Sequence, residues 1–417
     1  MKKIVIEGGY PLTGTIKISG AKNSAVALVP ASLLADDIVK IDNIPNISDI
    51  NALNEILEYL GATVKRENEI MEINPKTVKN KELPEAISKK LRASYYFMGA
   101  LLAKYKKAVM YFPGGCSIGA RPIDLHLKGF EALGANIKIE DNKYTIEAKE
   151  LKGTNIYLDF ASVGATINIM LAATKATGTT IIDNAAKEPE IVNVATFLNQ
   201  MGAKITGAGT SEIKIKGVKE LKGCYTEVIP DRIEAGTYII AGALMGQNLK
   251  IDNIIPEHIE SLLLKLKEIK INMNLEKDHI YISKTTNAKR INVQTQVFPG
   301  FPTDLGQPLT TLLTQCNGLS ILEENIYENR FQNVEYLNKM GADIKIDKKL
   351  LLIKGPTNLK GTTVKATDLR AGACLILAAL IAEGTTEITD VEHILRGYEN
   401  IIEKLSNVGA KIKLVEE

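Results

Sequence analysis

One segment recurs along this chain, and its recurrence restricts the possible folds more than any other feature. An amphipathic stretch ends in Gly-Ala and leads into alternating apolar and polar residues: LNEILEYLGATV, GFEALGANIKI, FLNQMGAKIT, YLNKMGADIKI and KLSNVGAKIKL. The glycines are Gly61, Gly134, Gly202, Gly341 and Gly409, and LKLKEIKINMN supplies a sixth copy with Lys270 in the glycine position. Successive copies lie 73, 68, 68, 71 and 68 residues apart. Glycine suits the left-handed turn that closes a helix, where a side chain adds strain. Lys270 therefore predicts a weaker stop. The alternation after each stop, as in ADIKIDKKLLLIKG, predicts a hairpin with one buried face.

The other half of each unit holds an Ala-rich helix followed by a strand. The helices begin KNSAVALVPASLLA, RASYYFMGALLAKY, ATINIMLAATKAT, EAGTYIIAGALMG, GQPLTTLLTQCNG and RAGACLILAALIAEG. Their small apolar residues suit helices packed together inside a domain, with sheets outside. The expected fold is α/β, with six βαβαββ repeats, three in each of two domains. The strand KIVIEGG has no preceding partner in its own half and is expected to join the C-terminal domain. That assigns residues 1–21 plus 230–417 to one domain and 22–229 to the other, with Pro230 at the second crossing.

The 417-residue length agrees with two cores rather than one. A net charge of +2 gives no field to hold a polyanion, so nucleic acid is not an expected partner. No apolar run approaches the roughly 20 residues of a spanning helix, so a cytoplasmic protein away from membranes is expected. Cys116, Cys224, Cys316 and Cys374 are too scattered for a disulfide frame or a zinc site, and the histidines do not cluster. Neither a metal nor another cofactor is expected.

Of the 51 basic residues only eight are arginine, and their places are informative. Lys22 in SGAKNSA, Arg92 in KLRASYY, Arg370 in DLRAGA and Arg232 in DRIEAG stand at the starts of inner helices. Helix N-termini already carry unpaired N–H groups and positive potential, so basic residues there point to anion binding. Arg121, Arg330 and Arg396 stand in loops after strands, which the strand-helix alternation opens on the same side. Six of the eight arginines are thus expected in one cleft between two domains, while Arg66 and Arg290 read as surface charges. Phosphate plus carboxylate is the simplest anion set for such a cluster. Cys116, in the Gly- and Pro-rich loop FPGGCSIGARP, is either a tuned thiol on a mobile lid or an ordinary small loop residue. Asp304, in FPTDLGQP, is either a general base or a helix N-cap.

Taken in order, SGAKNSA, LRASYYFMG, PGGCSIGARPIDLH, SVGAT with NIM, PDRIEAGT, FPTDL, ENRF, DLRAGA and RGYE resemble the UDP-N-acetylglucosamine 1-carboxyvinyltransferases of the enolpyruvyl transferase family over essentially the whole chain. The resemblance implies an inside-out α/β barrel in each domain. It also implies transfer of the enolpyruvyl group of phosphoenolpyruvate to UDP-N-acetylglucosamine, the first committed step of peptidoglycan synthesis. On that resemblance Lys22, Arg121 and Arg396 hold the phosphate, and Arg370 and Arg396 face the carboxylate. Cys116 is the general acid, and Asp304 takes the hydroxyl proton. Asn23, Arg92, Arg121, Pro122, Ile123, Asp124, Leu125, Ser162, Val163, Gly164, Asp304 and Ile326 line the pocket for phosphoenolpyruvate or the sugar nucleotide. A cysteine at 116 further implies alkylation by fosfomycin.

Three departures accompany the likeness. Ile167 stands where a glutamate often follows SVGAT, Gly306-Gln307-Pro308 replaces the usual run after Asp304, and Lys270 replaces a glycine. The first two are expected on the sugar-nucleotide side. Rival readings are 3-phosphoshikimate 1-carboxyvinyltransferase, which shares the fold but not the thiol loop, and a non-catalytic repeat protein that binds through its cleft. A monomer or weak oligomer is expected.

Overall fold

A computed structural model describes residues 2–113 and 123–416 of the chain. Its residues form two compact units, one of residues 2–19 and 230–416, the other of residues 20–113 and 123–229. Each unit has its own hydrophobic core. The inner helices are α1 (Lys22–Ala31), α2 (Tyr96–Tyr105) and α3 (Val163–Ala173) in the 20–229 unit. In the other unit they are α4 (Arg232–Met245), α5 (Thr303–Leu313) and α6 (Leu369–Ile381).

These helices are buried on nearly every side beyond their first turns, which explains why their sequences lack a polar face. In one unit α2 packs on both α1 and α3; in the other α4, α5 and α6 pack pairwise. The described residues form six sheets, three per unit. A typical sheet runs Lys204–Thr206, Glu212–Lys216, Thr179–Asp183, Asn155–Tyr157, with an antiparallel hairpin and one parallel edge pair. Its strand Glu212–Lys216 alternates exposed and buried residues, as the hairpin pattern predicts. The sheet of Lys107–Tyr111 departs from this plan, having three strands and a single parallel bridge from Leu83 to Met110 where the fourth would lie.

The strand Lys2–Glu7 pairs antiparallel with Thr385–Thr389 and with Lys411–Glu416. The chain passes between units at residues 19–20 and again at 229–230. Ser19 stays with the first unit because its backbone N–H donates to Glu234 Oε2 (2.8 Å) and its carbonyl accepts from Asp231 N (2.9 Å). Ala21 N instead donates to the Ile229 carbonyl (2.7 Å).

The five repeat glycines all have positive φ, between 97° and 108°. Lys270 adopts the same left-handed geometry at φ 70° and caps the helix Glu260–Ile269. That helix buries Leu262, Leu263, Leu266 and Ile269. Burial contributes roughly 1.5–3 kcal/mol per such side chain, against about 1–2 kcal/mol for one left-handed residue. Packing therefore places the stop even without glycine. Arg290 is exposed as expected, but Arg66 is a half-buried brace, because its Nη2 donates to the Ile44 carbonyl at 2.8 Å. Among the described residues no helix is long and apolar enough to cross a membrane.

Candidate active site

Asp304, the second residue of α5, gathers the arginines of its unit. Arg330 Nη2 donates to its Oδ1 at 2.5 Å, and Arg370 Nη2 donates to its Oδ2 at 3.1 Å. The two arginine side chains are 3% and 4% exposed while the carboxylate is 27% exposed, so one partly open anion neutralises two buried cations. Asp304 is not the helix cap; Pro302 holds that place without a side-chain bond. Arg370 Nη1 also donates to Tyr398 Oη at 3.0 Å, and Tyr398 Oη meets Thr237 Oγ1 at 2.9 Å. Burial opposes the Arg370 charge, but Tyr398 and Asp304, with Asp231 beyond, together hold its pKa above the ordinary arginine value.

The placement of Arg370 rests on Asp368, which caps α6 by accepting from Arg370 N (2.8 Å) and Ala371 N (3.1 Å). The second Asp368 oxygen accepts from Gln307 Nε2 at 3.2 Å. Gln307 is thus a buried bracing residue between α5 and α6, and Ile167 is wholly buried in the core of its own unit. Neither presents a surface to a nucleotide, which corrects that expectation. Their helices bury those positions on every side. Arg232 lies over the Phe298 ring at 5.6 Å, Arg396 is half-buried after the short helix Glu392–Leu395, and Ile326 is half-buried in the loop before Arg330.

In the other unit Lys22 opens α1, with its Nζ 3.1 Å from Asp49 Oδ2; Asn23 follows, half-buried. Arg92 begins the 3-10 turn Arg92–Tyr95 that leads into α2. Ser162 caps α3, its Oγ accepting from Ala165 N at 3.3 Å, so Val163 and Gly164 form the helix's first turn. Ile123 is buried, Asp124 exposed and Leu125 half-buried at the start of the helix Asp124–Ala132. Cys116, Arg121 and Pro122 lie outside the described residues.

His126 joins these segments. Asn168 Nδ2 donates to its Nδ1 at 2.9 Å and to the Tyr95 carbonyl at 2.9 Å, while Asn168 Oδ1 accepts from Gly99 N at 2.9 Å. An accepting Nδ1 places the proton of the neutral ring on Nε2. Burial, reinforced by the Arg92 charge, pushes the His126 pKa down to about 3. A methyl group on Gly164 would fall 2.9 Å from His126 Cε1 and from the Tyr95 hydroxyl, so only glycine fits there. Sequence reasoning found Asp304, Arg330 and Arg370 but missed Asp49, His126, Asn168 and Asp368. The DLH of RPIDLH and the NIM after SVGAT were the available signals.

Among the described residues one further group of ligand type, Asp252, Asp278 and His279, is a surface charge network. His279 Nδ1 meets Asp278 at 2.7 Å and Lys250 meets Asp252 at 2.9 Å.

The family described as EPSP synthase (3-phosphoshikimate 1-carboxyvinyltransferase) matches residues 6–405. The chain is 54% identical over 419 residues to a UDP-N-acetylglucosamine 1-carboxyvinyltransferase of Streptococcus pneumoniae, covering 100% of both chains. It is 53% identical over 412 residues to UDP-N-acetylglucosamine 1-carboxyvinyltransferase 2 of Oceanobacillus iheyensis, covering 99% of this chain and 96% of that one. The enolpyruvyl transferase NikO from Streptomyces tendae superposes with a TM-score of 0.90 at 27% identity, covering 99% of each chain. EPSP synthase from Acinetobacter baumannii shares the fold, with a TM-score of 0.77 at 18% identity over 100% of both.

Proposed function

The chain belongs to the EPSP synthase family of enolpyruvyl transferases, and from that premise we propose that it transfers the enolpyruvyl group of phosphoenolpyruvate to the 3'-hydroxyl of UDP-N-acetylglucosamine, releasing phosphate. This is the first committed step of peptidoglycan synthesis, carried out in the cytoplasm. The observation that carries the choice of acceptor is full-length identity above one half to enzymes named for that sugar nucleotide.

In the first half of the reaction the 3'-hydroxyl oxygen attacks C2 of phosphoenolpyruvate. Asp304 accepts the hydroxyl proton, and Cys116 delivers a proton to the methylene carbon. In the second half a methyl proton is removed, the double bond re-forms, and phosphate leaves C2. Lys22, Arg121 and Arg396 hold the phosphate, and Arg370 and Arg396 hold the carboxylate. A substrate carboxylate on Arg370 takes over part of the neutralising task of Asp304, which frees one carboxylate oxygen as a base. Fixed positive charge of this kind stabilises the developing anion without needing to reorganise. Asn23, Arg92, Arg121 to Leu125, Ser162 to Gly164 and Ile326 form the pocket wall.

A phosphate-release assay with each acceptor tests the proposal. Turnover with UDP-N-acetylglucosamine and none with shikimate 3-phosphate is expected; turnover with shikimate 3-phosphate alone overturns it.

A further inference from the structure

The loop from Glu324 to Arg330 is fastened at both ends to two consecutive residues of α5. At its far end Arg330 grips Asp304, with its guanidinium also 5.5 Å over the Tyr327 ring. At its near end the Glu324 side chain, 4% exposed, accepts three bonds. Thr303 Oγ1 donates to Oε2 at 2.8 Å, and the backbone N–H groups of Ile326 and Tyr327 donate to Oε1 at 2.7 and 3.0 Å. The next residue reinforces the same anchor, with Asn325 N donating to Thr295 Oγ1 at 2.9 Å.

A buried carboxylate that collects two loop amides and a hydroxyl on the turn of the reacting acid does more than fill space. Those three bonds satisfy the buried carboxylate, and they tie the loop to the residue immediately before Asp304. We propose that Glu324 is a positioning residue for the transfer reaction, setting Ile326 and Tyr327 against the acceptor and fixing their distance from Asp304. The inference rests on the acceptor reading given above.

Two variants, one isosteric and one shorter, separate hydrogen-bond positioning from a role for the charge. In Glu324→Gln the amide oxygen still accepts from both loop N–H groups, and its NH2 donates to Thr303 Oγ1, reversing that one bond. In Glu324→Asp the charge remains, but the side chain is one methylene too short to span Thr303 and the loop.

The KM for UDP-N-acetylglucosamine is expected within about 3-fold of wild type in Glu324→Gln and raised about 10-fold or more in Glu324→Asp, the effect of losing the hydrogen bonds that hold the loop. The KM for phosphoenolpyruvate should move less. Hydrogen exchange of the Ile326 and Tyr327 amides should quicken in the Asp variant and not in the Gln variant. The reverse ranking, or wild-type behaviour in both variants, overturns the proposal. Exchange needs no substrate, so it still decides whether Glu324 holds the loop should wild type fail to turn over UDP-N-acetylglucosamine, a result that would count against the acceptor reading instead.

Discussion

Arg370 and Asp304 are joined at 3.1 Å, and this ion pair, together with the Gln307–Asp368 bond, locks the starts of α5 and α6 together. The same carboxylate also serves Arg330, so one residue neutralises two guanidinium groups buried on different segments.

Asp304→Asn should therefore fail in two ways. Loss of the base should lower turnover by at least about 100-fold. Two buried cations without their anion should also lower stability by about 2–3 kcal/mol, somewhat less than for a fully buried pair. Phosphate release and urea unfolding measure the two effects; near-normal turnover would remove Asp304 from the chemistry.

Fosfomycin should label Cys116 and no other cysteine. Burial pushes the thiols of Cys374 and Cys224 up to about 11 and that of Cys316 up to about 12, which leaves little thiolate at neutral pH. Peptide mass mapping after inactivation checks this. Cys116→Ala should lose both labelling and turnover while its affinity for the sugar nucleotide, read by calorimetry, stays close to wild type.

Lys270→Gly should stabilise the protein by about 0.5–1 kcal/mol, because glycine accepts the left-handed conformation that lysine holds under strain. The midpoint of urea unfolding should rise without a change in slope. A lower midpoint would mean that the lysine side chain contributes more than its backbone loses.

His126 makes the protein acid-sensitive. Its pKa lies near 3 when folded and at the model-peptide value of 6.5 when unfolded, so between these values the unfolded chain binds the extra proton. The sign is thus fixed: this contribution to stability is fully present above about pH 6.5 and is lost as pH falls towards 3. In His126→Gln the fall in stability between pH 6.5 and 4 should be shallower. A parallel pH profile in the variant would place the sensitivity elsewhere.

The framework was legible because it is written six times. Periodic apolar helices and helix-stop residues reveal themselves by repetition, and even Lys270 could be placed by arithmetic. Arg370 was legible as a rare residue type at a helix start, and Asp304 as an acid within FPTDLGQP. Glu324, Asp368 and Asn168 were not, because a loop glutamate, a helix-capping aspartate and one asparagine within α3 barely disturb the local pattern around them. Their roles come from partners distant in sequence, such as Gln307 for Asp368 and His126 for Asn168. Arg66 was misread for the same reason, since the carbonyl that it braces belongs to a loop preceding its own helix and hairpin.

The strand Lys2–Glu7 sits between two strands from the far end of the chain, with Lys3 bonded to Glu387 across 384 positions. On the ribosome that strand must wait, unpaired, while the whole intervening unit emerges. Residues 20–229 hold all the strands of their own three sheets and can close without it. Translation order therefore favours the inserted unit as the first to mature, and a chaperone guarding this polypeptide would meet its exposed apolar sequence at the amino-terminal edge for longest.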